Sequence, residues 1–275
     1  ENNEKNEFGH SVLNESIQSI KAELRKLEKL SAEEIQTERV LERETISNLF
    51  QFSGVSKNVI ELLNKNTSEK SLEQMAKSLS KMFVSGKCPN FEASDLFLIV
   101  GPRLSGKSVF AKKLMALMES KEEIKDCSDI DCENLKSAVA KISSWASKNE
   151  GSASTSRKIA ISELSDDIEV DRLLLEIHKQ SPKLNISVIK VCAAGNSYQY
   201  LRRNFPKRSM DNEYLAITKL DLCDLSLSEI SAFVELNHKC MFFSGIETEA
   251  DGIFFAQVEK VMSHIVKTVG SEELE

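Results

Sequence analysis

From Leu96 to the end of the chain, short apolar runs alternate with amphipathic segments, which predicts strands that alternate with helices. Five apolar runs are interpreted as strands: LFLIV, KIAIS, ISVIKVCAA, YLAIT and CMFFSG. Helices are predicted from Lys107 to about Glu119 and over ENLKSAVAKISSWASKN, VDRLLLEIHKQ, LSEISAFVELN and FFAQVEKVMSHIVKTV. A further strand should lie between Ile124 and Asp131, although this segment consists mostly of Asp, Ser and Cys. The pattern predicts an α/β fold with a doubly wound, mostly parallel sheet and binding sites at the carboxyl ends of its strands.

Before Leu96 the apolar positions follow helical spacing, and no strand is predicted. One helix over Val40 to Phe52 ends at Ser53-Gly54, a second covers VSKNVIELLN with Ser56 as N-cap, and a third covers SEKSLEQMAKSLSKMF. An earlier apolar stripe at helical spacing consists of Leu13, Ile17, Ile20, Leu24 and Leu27. It fits either a helix packed on its own domain or a helix that pairs with a partner in a coiled coil. The predicted organisation is a helical bundle, the N domain, over residues 1–88, followed by the α/β domain over residues 89–275.

Composition and charge narrow the class of protein. The chain has 275 residues, of which 41% are hydrophobic and 29% charged, as is usual for a soluble globular protein. A net charge of −7 argues against direct nucleic-acid binding, and no apolar run reaches the length of about 18 residues that a membrane span requires. The N-terminal residues carry no apolar signal core, and the six cysteines include no Cys-x-x-Cys pair. These features predict a cytoplasmic protein without a zinc site or a disulfide framework.

The stretch FLIVGPRLSGKSVF carries the pattern Gly-x-x-x-x-Gly-Lys-Ser between a predicted strand and a predicted helix. In this phosphate-binding loop, Gly101 and Gly106 allow the tight backbone turn, and backbone N–H groups up to Ser105 and Gly106 point at the phosphates. Lys107 would reach the terminal phosphates, and the Ser108 hydroxyl would hold Mg²⁺. The sequence therefore predicts a nucleotide-phosphate site at the start of this helix.

Leu104 is unusual in the middle of such a loop. A small residue there lets the backbone close around the phosphate, whereas a side chain with a Cβ adopts a positive φ only at a cost. We expect this residue, together with the bulk of Arg103, to lower nucleotide affinity.

A second motif predicts which base is bound. The strand YLAIT runs into Thr218-Lys219-Leu220-Asp221, and Thr/Asn-Lys-x-Asp after a buried strand is typical of guanine recognition. The Asp221 carboxylate suits the N1–H and N2–H₂ donors of guanine, and the stem of Lys219 would cover the base plane. Adenine lacks these donors, which argues against an ATPase.

Together the two motifs resemble the signal recognition particle (SRP) type GTPases, whose members join a helical N domain to a GTPase G domain. The likeness covers roughly residues 10 to 270, and IVGPRLSGKSVFAKKLM and FSGVSKNVIELL resemble most closely the branch of the flagellar GTPase FlhF. The resemblance implies GTP or GDP with Mg²⁺ as ligand. It also implies that the closing loop at Gly245 contributes to the guanine site and that Asp131 is the approximate match to an aspartate on the metal side. Further implications are pairing with a second copy or with a related SRP-type GTPase, and peripheral contact with the inner face of the plasma membrane.

The chain departs from the family where hydrolysis is carried out. The family's Asp-Thr-Ala-Gly-Arg motif is replaced, so that Ser162 stands at its aspartate and Ser165 at its glycine. Glu133 or Asn134 stands where the family has an arginine, and LCDLSLS lacks the glycines that follow the family's Thr-Lys-Leu-Asp. Since phosphoryl transfer depends on such charge-stabilising groups, we expect weak or absent GTP hydrolysis.

Two hypotheses remain open from the sequence. In one the chain binds GTP and switches with it; in the other it is a nucleotide-free pseudo-GTPase that serves as an interaction scaffold. Acidic residues near the expected metal side could replace the lost aspartate or could form a solvated acidic loop: Asp129, Asp131, Asp166 and Asp167.

Overall fold

The computed structural model describes ten stretches of the chain: residues 45–66, 71–86, 91, 93–121, 124–132, 134–149, 157–164, 169–208, 210–245 and 252–271. The stripe from Leu13 to Leu27 and the first part of the predicted helix from Val40 lie outside these residues. The described part of that helix, residues 45–52 (α1), ends at a turn in which Gly54 has a φ of 98°.

Two predicted helices follow as expected. They are α2 (Lys57–Asn66) and α3 (Leu72–Phe83). The Ser56 hydroxyl accepts a hydrogen bond from the backbone N–H of Val59 at 3.4 Å, which confirms Ser56 as the N-cap of α2. On the predicted apolar face of α3, Met75, Leu79 and Phe83 are buried.

Strands and helices then alternate as predicted. The strands are β1 (Leu96–Val100), β2 (Ile124–Asp129), β3 (Arg157–Glu163), β4 (Ile186–Ala193), β5 (Glu213–Thr218), β6 (Cys240–Ser244) and β7 (Ile253–Phe255). The helices between and after them are α4 (Lys107–Glu119), α5 (Leu135–Asn149), α6 (Val170–Gln180), α7 (Tyr198–Asn204), α8 (Leu227–Glu235) and α9 (Val258–Ser271). Across the described strands the sheet order is β2-β3-β1-β4-β5-β6-β7, parallel throughout except for the antiparallel pair β6 and β7. The predicted α/β fold with a doubly wound, mostly parallel sheet is confirmed.

Alternate residues of the strands face opposite sides of the sheet, and both sides are covered by buried cores. On one face, Ile99, Ile161 and Val191 pack with Phe110 and Leu114 of α4. The opposite face of the sheet packs against the other helices: Leu98, Ala160 and Val188 contribute to the core under α5 and α6, and Cys192 and Leu215 to the core under α2, α3, α8 and α9. The helix α4, which follows the candidate phosphate loop, therefore lies on the opposite face of the sheet from these helices.

The helices before residue 88 are not isolated from the sheet. Val59 and Leu63 of α2 and Leu79 and Phe83 of α3 belong to the same core cluster as Ile265 of α9. The division into residues 1–88 and 89–275 stays a prediction.

Two elements differ from the prediction. The helix α7 was not expected, and its sequence YQYLRRN has Leu201 as its buried residue. Phe254 and Phe255 were assigned to the last helix but form β7, because Phe255 packs on Phe242 with ring centroids 4.9 Å apart and Phe254 pairs with Phe243. The helix α9 starts only at Val258.

Candidate nucleotide-binding site

The backbone of residues 101–106 is folded so tightly that its two glycines have no room for a side chain or adopt a left-handed conformation. A Cβ added to Gly101 would lie 2.3 Å from the carbonyl oxygen of Val191 on the neighbouring strand β4. Gly106 has a φ of 88° and is the N-cap of α4, with no side-chain cap of its own. No side chain of the N-cap residue therefore competes for the first backbone N–H groups of α4, which is the arrangement that favours an anion.

Lys107 is buried although it is charged, with 9% of its surface exposed. Its Nζ donates to the carbonyl oxygen of Gly101 at 2.6 Å and to that of Pro102 at 3.3 Å. The side chain thus folds back over the loop and holds its ammonium group at the loop's own carbonyl oxygens.

Ser105 carries the polar atom that best tests whether the loop fits a phosphate. Its side chain is buried, with 3% exposure, and within the described residues its hydroxyl has no hydrogen-bond partner. A buried hydroxyl without a partner costs about 1–3 kcal/mol. A phosphate oxygen accepting from this hydroxyl would remove that cost, so the loop fits an anionic ligand.

Leu104 adopts a positive φ, the conformation that is costly for a residue with a Cβ. Its φ is 64° and its side chain is 87% exposed. The loop therefore closes in spite of the leucine, and the backbone bears the left-handed conformation, which costs about 1–2 kcal/mol for a residue with a Cβ.

We expect Leu104→Gly to raise stability modestly, by up to about 1 kcal/mol, because the gain at a positive φ is partly offset by the greater freedom of glycine in the unfolded chain. Leu104→Ala is the matched control, since it removes the exposed side chain but keeps the Cβ. Denaturant unfolding measures both variants. An equal effect of alanine and glycine would show that the side chain, not the backbone conformation, matters.

The two predicted motifs are joined by a hydrogen bond. The Thr218 hydroxyl donates to the carbonyl oxygen of Ser105 at 2.5 Å and lies 3.3 Å from that of Cys192. Thr218 is buried, and a Cβ on Gly106 would lie 3.3 Å from its hydroxyl. The end of β5 is therefore hydrogen-bonded to the phosphate loop. In the sequence, only the resemblance to a known family connected the two motifs.

Lys219, Asp221 and Gly245 also meet at this edge of the sheet. Lys219 has a φ of 60°, which turns the chain sharply after β5. A Cβ on Gly245 would lie 2.4 Å from Oδ1 of Asp221, so the carboxylate of Asp221 lies directly against this glycine. Asp221 is exposed, so its carboxylate is accessible to a ligand.

The acidic residues expected on the metal side are distributed differently. Ser162 is fully buried and donates to the carbonyl oxygen of Ile130 at 2.8 Å, away from α4. Asp131 is exposed, and its backbone carbonyl accepts from Lys141 at 2.7 Å. Asp166 and Asp167 lie outside the described residues. The residue that contacts Ser108 is Glu163, whose Oε1 accepts from the Ser108 hydroxyl at 2.9 Å, and the sequence interpretation missed it.

No preformed cluster of three or more metal-ligating side chains occurs in the described part of the chain. A Mg²⁺ ion in this class of site is held mainly by nucleotide phosphates, water and one or two protein oxygens. Ser108 and Glu163 together supply protein oxygens of the kind that such an ion requires.

A cleft of about 770 Å³ opens near this loop. It lies between the start of α6 and the segment that follows α7. The residues that line it include Gly101, Pro102, Arg103, Lys190 and Glu213. Glu213 is buried, and its Oε1 lies 2.9 Å from Nζ of Lys190 and 3.1 Å from Nδ1 of His238. Burial alone would raise the pKa of Glu213, but hydrogen bonds from His238 and Lys190 outweigh it and lower the pKa.

Comparison with solved structures places the fold. The chloroplast FtsY from Physcomitrella patens matches with a TM-score of 0.56 at 14% identity, over 81% of this chain and 87% of that one. The signal recognition particle receptor FtsY from Elizabethkingia anophelis matches with a TM-score of 0.54 at 12% identity, over 80% and 84% of the two chains. FlhF complexed with GTP and Mg²⁺ matches with a TM-score of 0.53 at 13% identity, over 82% and 99%.

No protein-family model matches the sequence, and no curated protein matches it either. The structural matches show that the chain has the fold of the SRP-type GTPases, as the sequence resemblance predicted. None of the described helices is both long and apolar enough to span a membrane.

Proposed function

We propose that this chain binds GTP or GDP with Mg²⁺ and hydrolyses GTP slowly or not at all. The observation that carries the proposal is the hydrogen bond from Thr218 to Ser105, because it fixes the guanine-type motif against the phosphate loop. A base held at Asp221 and phosphates held at the loop would then belong to one ligand. The comparison structures support this ligand, since FlhF was solved with GTP and Mg²⁺ and an FtsY with GDP.

Each proposed contact follows from the position of the residue. The backbone from Gly101 to Gly106 and the hydroxyl of Ser105 surround the phosphates, and the ammonium group of Lys107 moves from the loop carbonyls to the phosphate oxygens. The carboxylate of Asp221 accepts from the guanine edge, beside Gly245. Mg²⁺, when bound, neutralises phosphate charge, and the Ser108 hydroxyl is placed to hold it.

Weak hydrolysis is supported by what stands in place of the family's arginine. The side-chain oxygen of Asn134 accepts from the backbone N–H of Ser137 at 2.9 Å, so Asn134 caps the helix α5. A neutral side chain engaged in a cap cannot stabilise the charge that develops during phosphoryl transfer. Glu133 and Ser165 lie outside the described residues.

For the cellular role, we propose cytoplasmic protein targeting or flagellar and polar assembly, with peripheral contact at the inner face of the plasma membrane. The proposed partner is a second copy or a related SRP-type GTPase. Support comes from the similarity of the fold to an SRP receptor and to FlhF. A nucleotide-free scaffold is the second candidate, and the left-handed Leu104 is the observation that favours it.

Thermal melting with Mg²⁺ and GTP, GDP, ATP or no nucleotide tests the proposal, followed by phosphate release on the same samples. A ligand that binds only the folded chain raises the melting temperature, and the stabilisation grows with the logarithm of the ligand concentration above the dissociation constant. We expect a rise with guanine nucleotides only and little phosphate release. No shift with any nucleotide at millimolar concentration would contradict the nucleotide site and favour the scaffold.

We expect Asp221→Asn to exchange guanine preference for xanthine preference. Xanthine carries a carbonyl oxygen at C2 where guanine carries an amino group, so it needs a donor that asparagine supplies and aspartate lacks. The affinity for GDP should fall at least about tenfold, because two charge-assisted hydrogen bonds are lost. Titration with GDP and with xanthosine diphosphate measures both changes, and Asp224→Asn, three residues further on, is the matched control.

A further inference from the structure

The hydrogen bond between Ser108 and Glu163 joins the start of α4 to the carboxyl end of β3. The Ser108 hydroxyl donates to Glu163 Oε1 at 2.9 Å. Ser108 is the second residue of α4, directly after Lys107, and its side chain is exposed. A carboxylate in direct contact with this hydroxyl lies beside the position where a phosphate-bound metal ion would meet the protein.

The alternation of side chains along β3 explains why Glu163 has this position. Ile159 and Ile161 belong to the core cluster under α4, whereas Ala160 belongs to the cluster on the opposite face. By the period of two, position 163 faces α4 and position 162 faces away. The full burial of Ser162 and its bond to Ile130 agree with this register.

The register has a consequence for the acidic position that the sequence resemblance placed at Ser162. A carboxylate at position 162 would be buried in the core under α5 and α6, away from the loop. One residue later, the chain offers a longer acidic side chain on the correct face. The strand pairing of Ile99 with Glu163 places this acid beside the strand that leads into the loop.

The other acids considered from the sequence do not share this contact. Asp129 lies at the end of the edge strand β2, where its partner in the register is Ile161, so β3 separates it from β1. Asp131 is exposed two residues beyond β2. Within the described stretches, Glu163 is the acidic residue that is hydrogen-bonded to Ser108.

We propose that Glu163 is the metal-side carboxylate of this chain and positions Mg²⁺, through the ion or its bound water, together with Ser108. This rests on the proposed binding of a guanine nucleotide. Mg²⁺ prefers carboxylate and hydroxyl oxygens and retains several waters, and both side-chain oxygens are supplied by neighbouring elements of the loop. Glu163 would act on the metal but would not replace the family's charge-stabilising arginine. It therefore supports metal-dependent binding without restoring hydrolysis.

The test is the Mg²⁺ dependence of nucleotide affinity, measured by titration of the full chain with GDP over a series of Mg²⁺ concentrations and in EDTA. Wild type should bind GDP at least about tenfold more tightly with Mg²⁺. Glu163→Gln should bind as wild type does in EDTA but lose most of the gain from Mg²⁺. Its amide oxygen still accepts from Ser108, so a purely structural role of the hydrogen bond would leave the Mg²⁺ response intact.

Asp131→Asn removes the rival carboxylate and should keep the full Mg²⁺ response, while Glu163→Asp should recover part of it. As a readout independent of affinity, paramagnetic resonance of Mn²⁺ should show fewer bound ions per GDP in Glu163→Gln than in wild type. A wild-type Mg²⁺ response in Glu163→Gln, or its loss in Asp131→Asn alone, overturns the assignment and leaves nucleotide binding standing. Failure of wild type to bind GDP in either condition overturns the nucleotide site and this proposal with it.

Discussion

Lys107→Ala is expected to abolish measurable nucleotide binding. The Lys107 ammonium group is buried at the mouth of the loop and already donates two hydrogen bonds to loop carbonyls. In the bound state it would donate to phosphate oxygens instead, and a hydrogen bond to a charged group contributes about 1.5–3 kcal/mol. Losing two such contacts should lower the affinity for GTP and GDP by at least about a hundredfold.

The measurement is calorimetric or fluorescence titration with GDP, next to denaturant unfolding of the same variant. Lys107→Met is the matched control for folding, because it keeps the apolar stem beside the loop and removes only the charge. Both variants should lose the nucleotide while remaining folded. Wild-type affinity in a folded Lys107→Ala variant would remove the loop from the nucleotide site.

Most of the fold could be predicted because the segments that form it carry their own pattern. The helix from Lys107 to Glu119 has the predicted ends, since a buried strand and a glycine precede it. Even β2, with its sequence IKDCSD, forms where the alternation required a strand. It lies at the edge of the sheet, where polar residues are tolerated because one side of the strand faces solvent.

The missed elements are short and depend on tertiary contacts. The helix α7 buries mainly Leu201, so it has little apolar periodicity, although Ser197 caps it by accepting from Tyr200 at 3.2 Å. The three apolar residues of β7 end only two residues before α9, so in the sequence they can be interpreted as its first turn. Their pairing with β6 and the ring contact between Phe242 and Phe255 decide the outcome.

The sequence names residues for the candidate site but not the contacts between them. Nothing in the spacing of the two motifs shows that the Thr218 hydroxyl meets the Ser105 carbonyl. Glu163 could have been found from the sequence, because Ile159, Ile161 and Glu163 lie at alternate positions of β3 and so face the same side of the sheet. The motif comparison pointed instead to Ser162, which faces the opposite side. The alternation of side chains along a strand therefore predicts which residue faces a site better than alignment to a poorly matching motif does.

Glu213→Leu is expected to give the largest loss of stability, because it leaves the half-buried Lys190 and the buried His238 without the carboxylate that both contact. Glu213 and His238 are 2% and 1% exposed, and the side chain of Lys190 is 14% exposed. Removing one member of a buried ionic group typically costs about 3–5 kcal/mol. Glu213→Gln is the matched control and should lose less, since an amide oxygen can still accept a hydrogen bond.

The pH dependence gives this prediction a second measurement. The pKa of Glu213 is lowered in the folded chain by hydrogen bonds from His238 and Lys190. A lowered folded pKa contributes stability above the unfolded pKa of the glutamate, about 4.5, and this contribution is lost as the pH falls through the folded pKa. The difference in unfolding free energy between wild type and Glu213→Leu should therefore shrink as the pH falls below about 4.5. A difference that stays constant down to acid denaturation would show that the glutamate contributes by packing and not by its charge.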